Sequence, residues 1–220
     1  MKSIIKQFNK STIIPISLGI VIYLLSYRIP KIILPYESLH FVSLPIDDLI
    51  PLFTPAVIIY IPAFGQWIYA IYVLFKQDTK IGYWFAEAIT IGSLIGFITF
   101  IVYPTAVDRP VIDVKNIFDW VLNNVYTTDN IINACPSYHC FCSTISVMIL
   151  ERSKGVSKKT IYFNILYAIL VYISTVLTKQ HYIIDIPFGI LLAIISVLLA
   201  KNGFLSKFYD SLNNRFMFSE

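Results

Sequence analysis

The sequence predicts an all-α, polytopic membrane protein with six transmembrane helices in a single domain spanning residues 1–220. Three observations carry this. Of 220 residues, 57% are hydrophobic and only 14% are charged, where a soluble domain carries about 25% charged residues. Mean hydropathy is +0.71. Six stretches approach the ~20 apolar residues that a helical crossing needs. The composition excludes an ordinary water-soluble globule, a disordered chain and a coiled coil. The net charge of +4 is dispersed among apolar spans, so no nucleic-acid partner is expected. Three cysteines cannot make a disulfide framework, and at most one bridge with one free thiol can form.

The expected spans are 12–27, 52–75, 82–103, 136–150, 160–178 and 182–200. The first begins at Lys10-Ser11-Thr12. Lys2, Lys6 and Lys10 before an apolar run also suit a cleaved signal peptide, but no small-x-small cleavage site follows, and the span is read as retained. Pro51, Gly82 and Pro136 mark the starts of the second, third and fourth spans. The third carries a small-residue stripe, Ala88, Gly92 and Gly96, suited to close helix packing. Its Glu87 lies near the inner end and is expected to snorkel to the interface. The fourth is short unless residues 131–135 extend it. In the loop 104–135, Ile112–Val125 reads as a surface helix turning Phe118, Trp120, Val121 and Leu122 to the bilayer.

Basic residues set the orientation. With the N-terminus inside, the inner segments hold Lys2, Lys6, Lys10, Lys76, Lys80, Arg152, Lys154, Lys158, Lys159, Lys201, Lys207 and Arg215. The outer ones hold Arg28, Lys31, Arg109, Lys115 and Lys179. Both termini are therefore expected in the cytoplasm, in a plasma or inner membrane.

Two of the three histidines fall at outer span starts: His139 opens the fourth and His181 the sixth, while His40 lies in the first outer loop. Arg109 is expected to close the third span, Ser137 precedes His139, and Lys179 precedes His181. Asp185 lies four residues after His181, on one helix face. Arg109 and Lys179 suit an anion with several oxygens, and Ser137 with helix N-terminal amides adds donors. An imidazole held by a carboxylate keeps one nitrogen free as nucleophile or base. A second histidine can protonate a leaving oxygen. This set describes phosphoryl transfer through a histidine, with no metal or other cofactor required. The competing metal reading gathers His139, Cys142, His181 and Asp185.

Three segments resemble the signature motifs of the type 2 phosphatidic acid phosphatase (PAP2) superfamily. Tyr103-Pro104-Thr105-Ala106-Val107-Asp108-Arg109-Pro110 ends in the family's Arg-Pro. Pro136-Ser137-Tyr138-His139 is similar to Pro-Ser-Gly-His. Ser174, His181 and Asp185 keep the spacing of the third motif. The departures are Val102 and Thr175, where the family has cations, and Tyr138, where it has glycine. The segment Thr178-Lys179-Gln180-His181-Tyr182, with Tyr-Pro-Thr in the first motif, resembles the branch containing inositol phosphorylceramide synthases.

The resemblance implies a helical bundle and these roles. His181 attacks phosphorus and becomes a phosphohistidine. Asp185 orients His181, and His139 acts as general acid and then base. Arg109 and Ser137 hold phosphate oxygens, and Tyr138 of the second motif is expected beside them as a further substrate-binding residue. Lys179 is expected to replace a missing cation. The expected activity is hydrolysis of a lipid phosphate: phosphatidate-type, phosphatidylglycerol phosphate or polyprenyl diphosphate. A lipid phosphotransferase of the inositol phosphorylceramide synthase type is the second reading, and a small transporter or non-catalytic membrane protein the third. The expected partners are the lipid phosphate and the bilayer, with the active site extracytoplasmic. The sequence sets no oligomeric state.

Overall fold

A computed structural model describes residues 8–217. The expected inner residues Lys2 and Lys6 lie outside that range. The described residues are mostly helical, with almost no strand. Asn9 starts α1 (Lys10–Ile33) by accepting from the Ser11 amide, and its own side chain ties to Gln77 and Thr79. α1 stops at Leu34, whose extended backbone suits the position before Pro35. α2 (Pro45–Leu49) is a short outer helix. The expected second span is broken: a 3-10 turn at Thr54–Ala56 leads into α3 (Val57–Tyr60), and α4 (Ala63–Leu74) resumes after Pro62, which has no amide hydrogen to continue a helix.

α5 (Thr79–Val102) begins three residues before the expected Gly82 start, because Asp78 caps it through the Ile81 amide. Gly82 is instead a packing position: a Cβ there would lie 2.2 Å from the Thr12 methyl of α1. α6 (Ile117–Thr128), α7 (Tyr138–Arg152), α8 (Lys158–Leu177), α9 (Asp185–Ala200) and α10 (Ser206–Met217) follow. α1 lies along α5 and α5 along α9, while α7 sits among α4, α8 and α9. The small-residue stripe of α5 receives side chains of α7. A Cβ on Gly92 would meet Phe141 at 2.4 Å, and one on Gly96 the Tyr138 hydroxyl at 2.4 Å.

Among the described residues, four helical stretches are long and apolar enough to cross a membrane: Lys10–Ile33, Thr54–Leu74, Thr79–Val102 and Lys158–Leu177. The other two expected spans, α7 and α9, have 15 and 16 residues. At 1.5 Å per residue they reach only about 22 and 24 Å, short of the ~30 Å hydrocarbon core. Both start at the same end of the bundle, and both starts carry motif residues.

The segment 131–135 does not extend α7. It is stitched to the strand-like residues after α5 instead. β1 (His40–Phe41) pairs in parallel with β2 (Thr105–Ala106), and Ala106 bridges to Ile132. The outer helix α6 starts at Ile117 rather than at the expected Ile112, because Asn116 caps it there. Its Leu122 is fully buried against protein rather than turned to lipid. Glu87 does not snorkel. It is fully buried, and its Oε2 accepts from the Leu205 amide, pinning the turn before α10. All three cysteines are free, so the expected option of a bridge is not taken.

Candidate active site

His181 does not open α9. Residues 181–184 form a turn, and α9 begins at Asp185. The two meet because Asp185 Oδ2 accepts from the Tyr182 amide at 2.9 Å and faces His181 Nδ1 at 3.2 Å. The Ala134 carbonyl lies closer to the same nitrogen, at 2.8 Å. A carbonyl can only accept, so Nδ1 carries the proton and Nε2 keeps a free lone pair in the neutral ring.

Most supports of His181 trace to a motif segment or to the residues beside one. The Thr105 carbonyl accepts from the Ala134 amide, and its hydroxyl is bonded to both the amide and the carbonyl of Cys135, which fixes the Ala134 carbonyl. The Asp108 amide donates to the Tyr182 hydroxyl, joining the first segment to the third. The Ser137 amide donates to the Asp185 carbonyl. Gly189 permits this contact: a Cβ there would lie 2.4 Å from the Ser137 carbonyl oxygen. α8 ends in a Schellman motif, with the Lys179 amide on Val176 and the Gln180 amide on Thr175. Thr175 also accepts from the His181 amide. Ser174, the first residue of the third segment, is buried with its hydroxyl on the Val171 carbonyl.

His139 stands in the first turn of α7, its ring 5.8 Å from that of His181. Tyr60 stacks on it at 4.4 Å, and Trp67 packs at 5.3 Å. Arg109 is not at the end of α5 but well beyond it, past β2. Its guanidinium donates to the Asp129 and Asn130 carbonyls and to the Gln180 side chain. These residues enclose a small cavity of about 10 Å³, lined among others by Tyr27, Tyr60, Arg109, Asp129, His139 and His181. Arg109 Nε, Asn133 Oδ1, His139 Nε2 and Gln180 Nε2 are buried on this lining without a partner among the described residues. Asp185 Oδ1 is likewise unpartnered behind His181. Native proteins rarely leave such atoms unpaired, so their gathering on one cavity marks a place built for a polar ligand.

Three expected site residues lie elsewhere. The Tyr138 hydroxyl is bonded to Ser26 and to the Ser93 carbonyl, and its ring stacks on Tyr23 and Tyr27. Successive helical residues point about 100° apart, so with His139 aimed at the cavity its neighbour enters the core. The Ser137 hydroxyl caps α7 by accepting from the Cys140 amide, and the residue is fully buried. The Lys179 ammonium reaches the Asp47 carbonyl at 2.9 Å and does not line the cavity. The Asp47 carboxylate accepts from the Ile183 amide, so Asp47 clamps both sides of the His181 turn. Cys142 of the competing metal set lines a separate apolar groove.

The sequence reading missed Lys31, Asp129, Tyr27, Tyr60, Asn133 and Gln180 as neighbours of this site. Their spacing carries no motif, and the Arg109–Gln180 contact spans 71 residues. Cys135 offers no rival nucleophile. Burial, reinforced by the charge of Asp185, pushes its thiol up to about 12, so it stays protonated at neutral pH.

Lys179 holds φ at +51°, the left-handed position that glycine fills most easily at a helix C-terminus. A non-glycine residue there costs about 1–2 kcal/mol, and losing its bond to Asp47 costs about 1 kcal/mol. Lys179→Gly is therefore expected to shift stability by no more than about 1 kcal/mol and to leave KM unchanged. Thermal unfolding with steady-state kinetics checks this. A severalfold rise in KM would return Lys179 to the phosphate site.

No curated protein and no solved structure matches the chain significantly. A family model described as the PAP2 superfamily matches residues 39–199, a range that contains His139, His181, Asp185 and Arg109. The chain is accordingly a helical membrane protein belonging to the PAP2 superfamily.

Proposed function

We propose that the protein is an integral membrane phosphatase that hydrolyses a lipid phosphate through a phosphohistidine on His181. The observation that carries this reading is the fixed imidazole of His181. Its Nδ1 proton is committed to Ala134 and Asp185, which leaves Nε2 as the nucleophile toward a cavity shared with His139 and Arg109. In the first step the Nε2 lone pair attacks phosphorus, the phosphorus–oxygen bond to the lipid breaks, and His139 gives its proton to the leaving oxygen. Arg109 stabilises the charge on the remaining oxygens. In the second step His139 takes a proton from water, the water oxygen attacks phosphorus, and inorganic phosphate leaves His181.

A lipid is favoured by a second feature. An apolar groove of about 400 Å³ runs between α1, α4, α5 and α7, lined by Ile20, Tyr23, Trp67, Ile71, Phe141 and Ile145 among others. Trp67 both lines this groove and packs on His139. A hydrocarbon chain in the groove thus ends beside the catalytic pair. The short reach of α7 and α9 is consistent with a site recessed below the membrane surface, and the excess of basic residues on the opposite side supports an extracytoplasmic site.

The test is phosphate release by detergent-solubilised protein from phosphatidate, phosphatidylglycerol phosphate, a polyprenyl diphosphate and a soluble phosphate ester, with and without orthovanadate. Vanadate-sensitive release from the lipids at least about tenfold faster than from the soluble ester is expected. Release that appears only when an alcohol acceptor such as inositol is added would replace hydrolysis with phosphotransfer. Equal rates on the soluble ester would remove the lipid assignment.

A further inference from the structure

The three motif segments bring only one cation, Arg109, to the cavity, and that guanidinium is largely spent on the Asp129 and Asn130 carbonyls. A second cation stands just behind the cavity wall, held on the lining residue Asp129, and comes from a part of the chain that precedes the family match at residue 39. Near the end of α1, Lys31 turns its ammonium inward over the Tyr27 ring, 3.9 Å from its centroid, and pairs with the Asp129 carboxylate. The Lys31 side chain is only 9% exposed, which is rare for lysine unless it is paired, and here the pair is Asp129. The Tyr27 hydroxyl donates to both oxygens of the same carboxylate at 3.1 Å. Asp129 and Tyr27 line the cavity, and Lys31 lies within electrostatic reach of His139.

A carboxylate gripped by one ammonium and one phenol beside an arginine occupies the kind of cradle that two phosphoryl oxygens would take. At about 10 Å³ the cavity has room for no more than about one water, so a phosphate must displace something to enter. Burial alone would raise the Asp129 carboxyl, but Lys31, Arg109 and the Tyr27 hydroxyl outweigh it and hold Asp129 below the usual carboxylate range. It is therefore an anion at neutral pH. We propose that Lys31 is a phosphate-binding residue of this site and that Asp129 is its resident counter-ion, which the phosphate of the substrate displaces. The inference rests on the phosphatase reading and names the residue that stands in for the family cations absent at Val102 and Thr175.

The two halves of the pair then have opposite effects, which a purely structural ion pair would not give. Lys31→Gln removes a charge-assisted contact, so KM and the orthovanadate inhibition constant should rise roughly 10- to 100-fold. Lys31→Arg should recover most of that loss. Asp129→Asn removes the competing anion, so both constants should fall about tenfold. Orthovanadate binding is read in parallel from the rise in unfolding temperature of the solubilised protein, which needs no turnover. Unchanged constants in a folded Lys31→Gln variant overturn the proposal. So does Asp129→Asn with unchanged or weaker vanadate binding, and this arm stands even where Lys31→Gln fails to fold. A wild-type protein that neither releases phosphate nor responds to vanadate removes the phosphatase reading itself. Wild-type activity with same-direction effects in both variants removes only the role of Lys31.

Discussion

His181→Ala is expected to lower phosphate release by about four orders of magnitude or more, the scale seen when a covalent nucleophile is removed. No neighbouring side chain among the described residues replaces it. The Cys135 thiol is held protonated, the Ser137 hydroxyl is committed to the α7 cap, and His139 has no carboxylate partner among the described residues to fix its ring. The measurement is phosphate release beside an alkaline detergent quench of the enzyme with radiolabelled substrate, followed by acid treatment of the trapped protein. The wild type should yield an acid-labile, alkali-stable phosphoprotein, as expected for a phosphorus–nitrogen bond, and the variant none. His139→Ala should still form that species from a substrate with a good leaving group, because only proton transfer is lost. Release retained in His181→Ala would end the covalent mechanism and leave direct attack by water.

Much of this arrangement was legible in the sequence because it depends on local signals. Two histidines at or just before span starts, with Asp185 four residues after one of them, place the proposed catalytic groups at one end of a bundle whatever the details of packing. What was lost follows from geometry that a linear reading cannot supply. Tyr138 and His139 are adjacent in sequence but point about 100° apart, and Gly96 leaves a hole that takes the tyrosine ring. Lys179 sits next to Gln180 and His181, yet its left-handed backbone turns its ammonium to Asp47. Lys31 reads only as one more outer basic residue, because its partner, Asp129, is 98 residues away. The break in the second span hangs on Pro62, and the shortness of α7 on residues 131–135 being drawn into pairing with Thr105, Ala106 and Val107.

Asp185→Asn is expected to lower kcat by roughly 10²- to 10³-fold with KM little changed, a loss of about 3–4 kcal/mol of transition-state stabilisation. The size follows from which bond does what. The shorter contact to His181 Nδ1 is the Ala134 carbonyl, at 2.8 Å against 3.2 Å for Asp185. The carbonyl alone keeps the proton on Nδ1 and the ring in place, so the tautomer survives the substitution. What the amide cannot supply is the negative charge that balances the imidazolium as phosphorus bonds to Nε2. The asparagine oxygen can still accept from the Tyr182 amide, so folding should be preserved. Asp185→Ala removes that acceptor as well and leaves a buried amide unpaired, which costs about 1–3 kcal/mol of stability. Steady-state kinetics and thermal unfolding of both variants separate the two functions of one carboxylate. A wild-type kcat in Asp185→Asn, with Asp185→Ala merely less stable, would reduce Asp185 to a cap on the turn before α9.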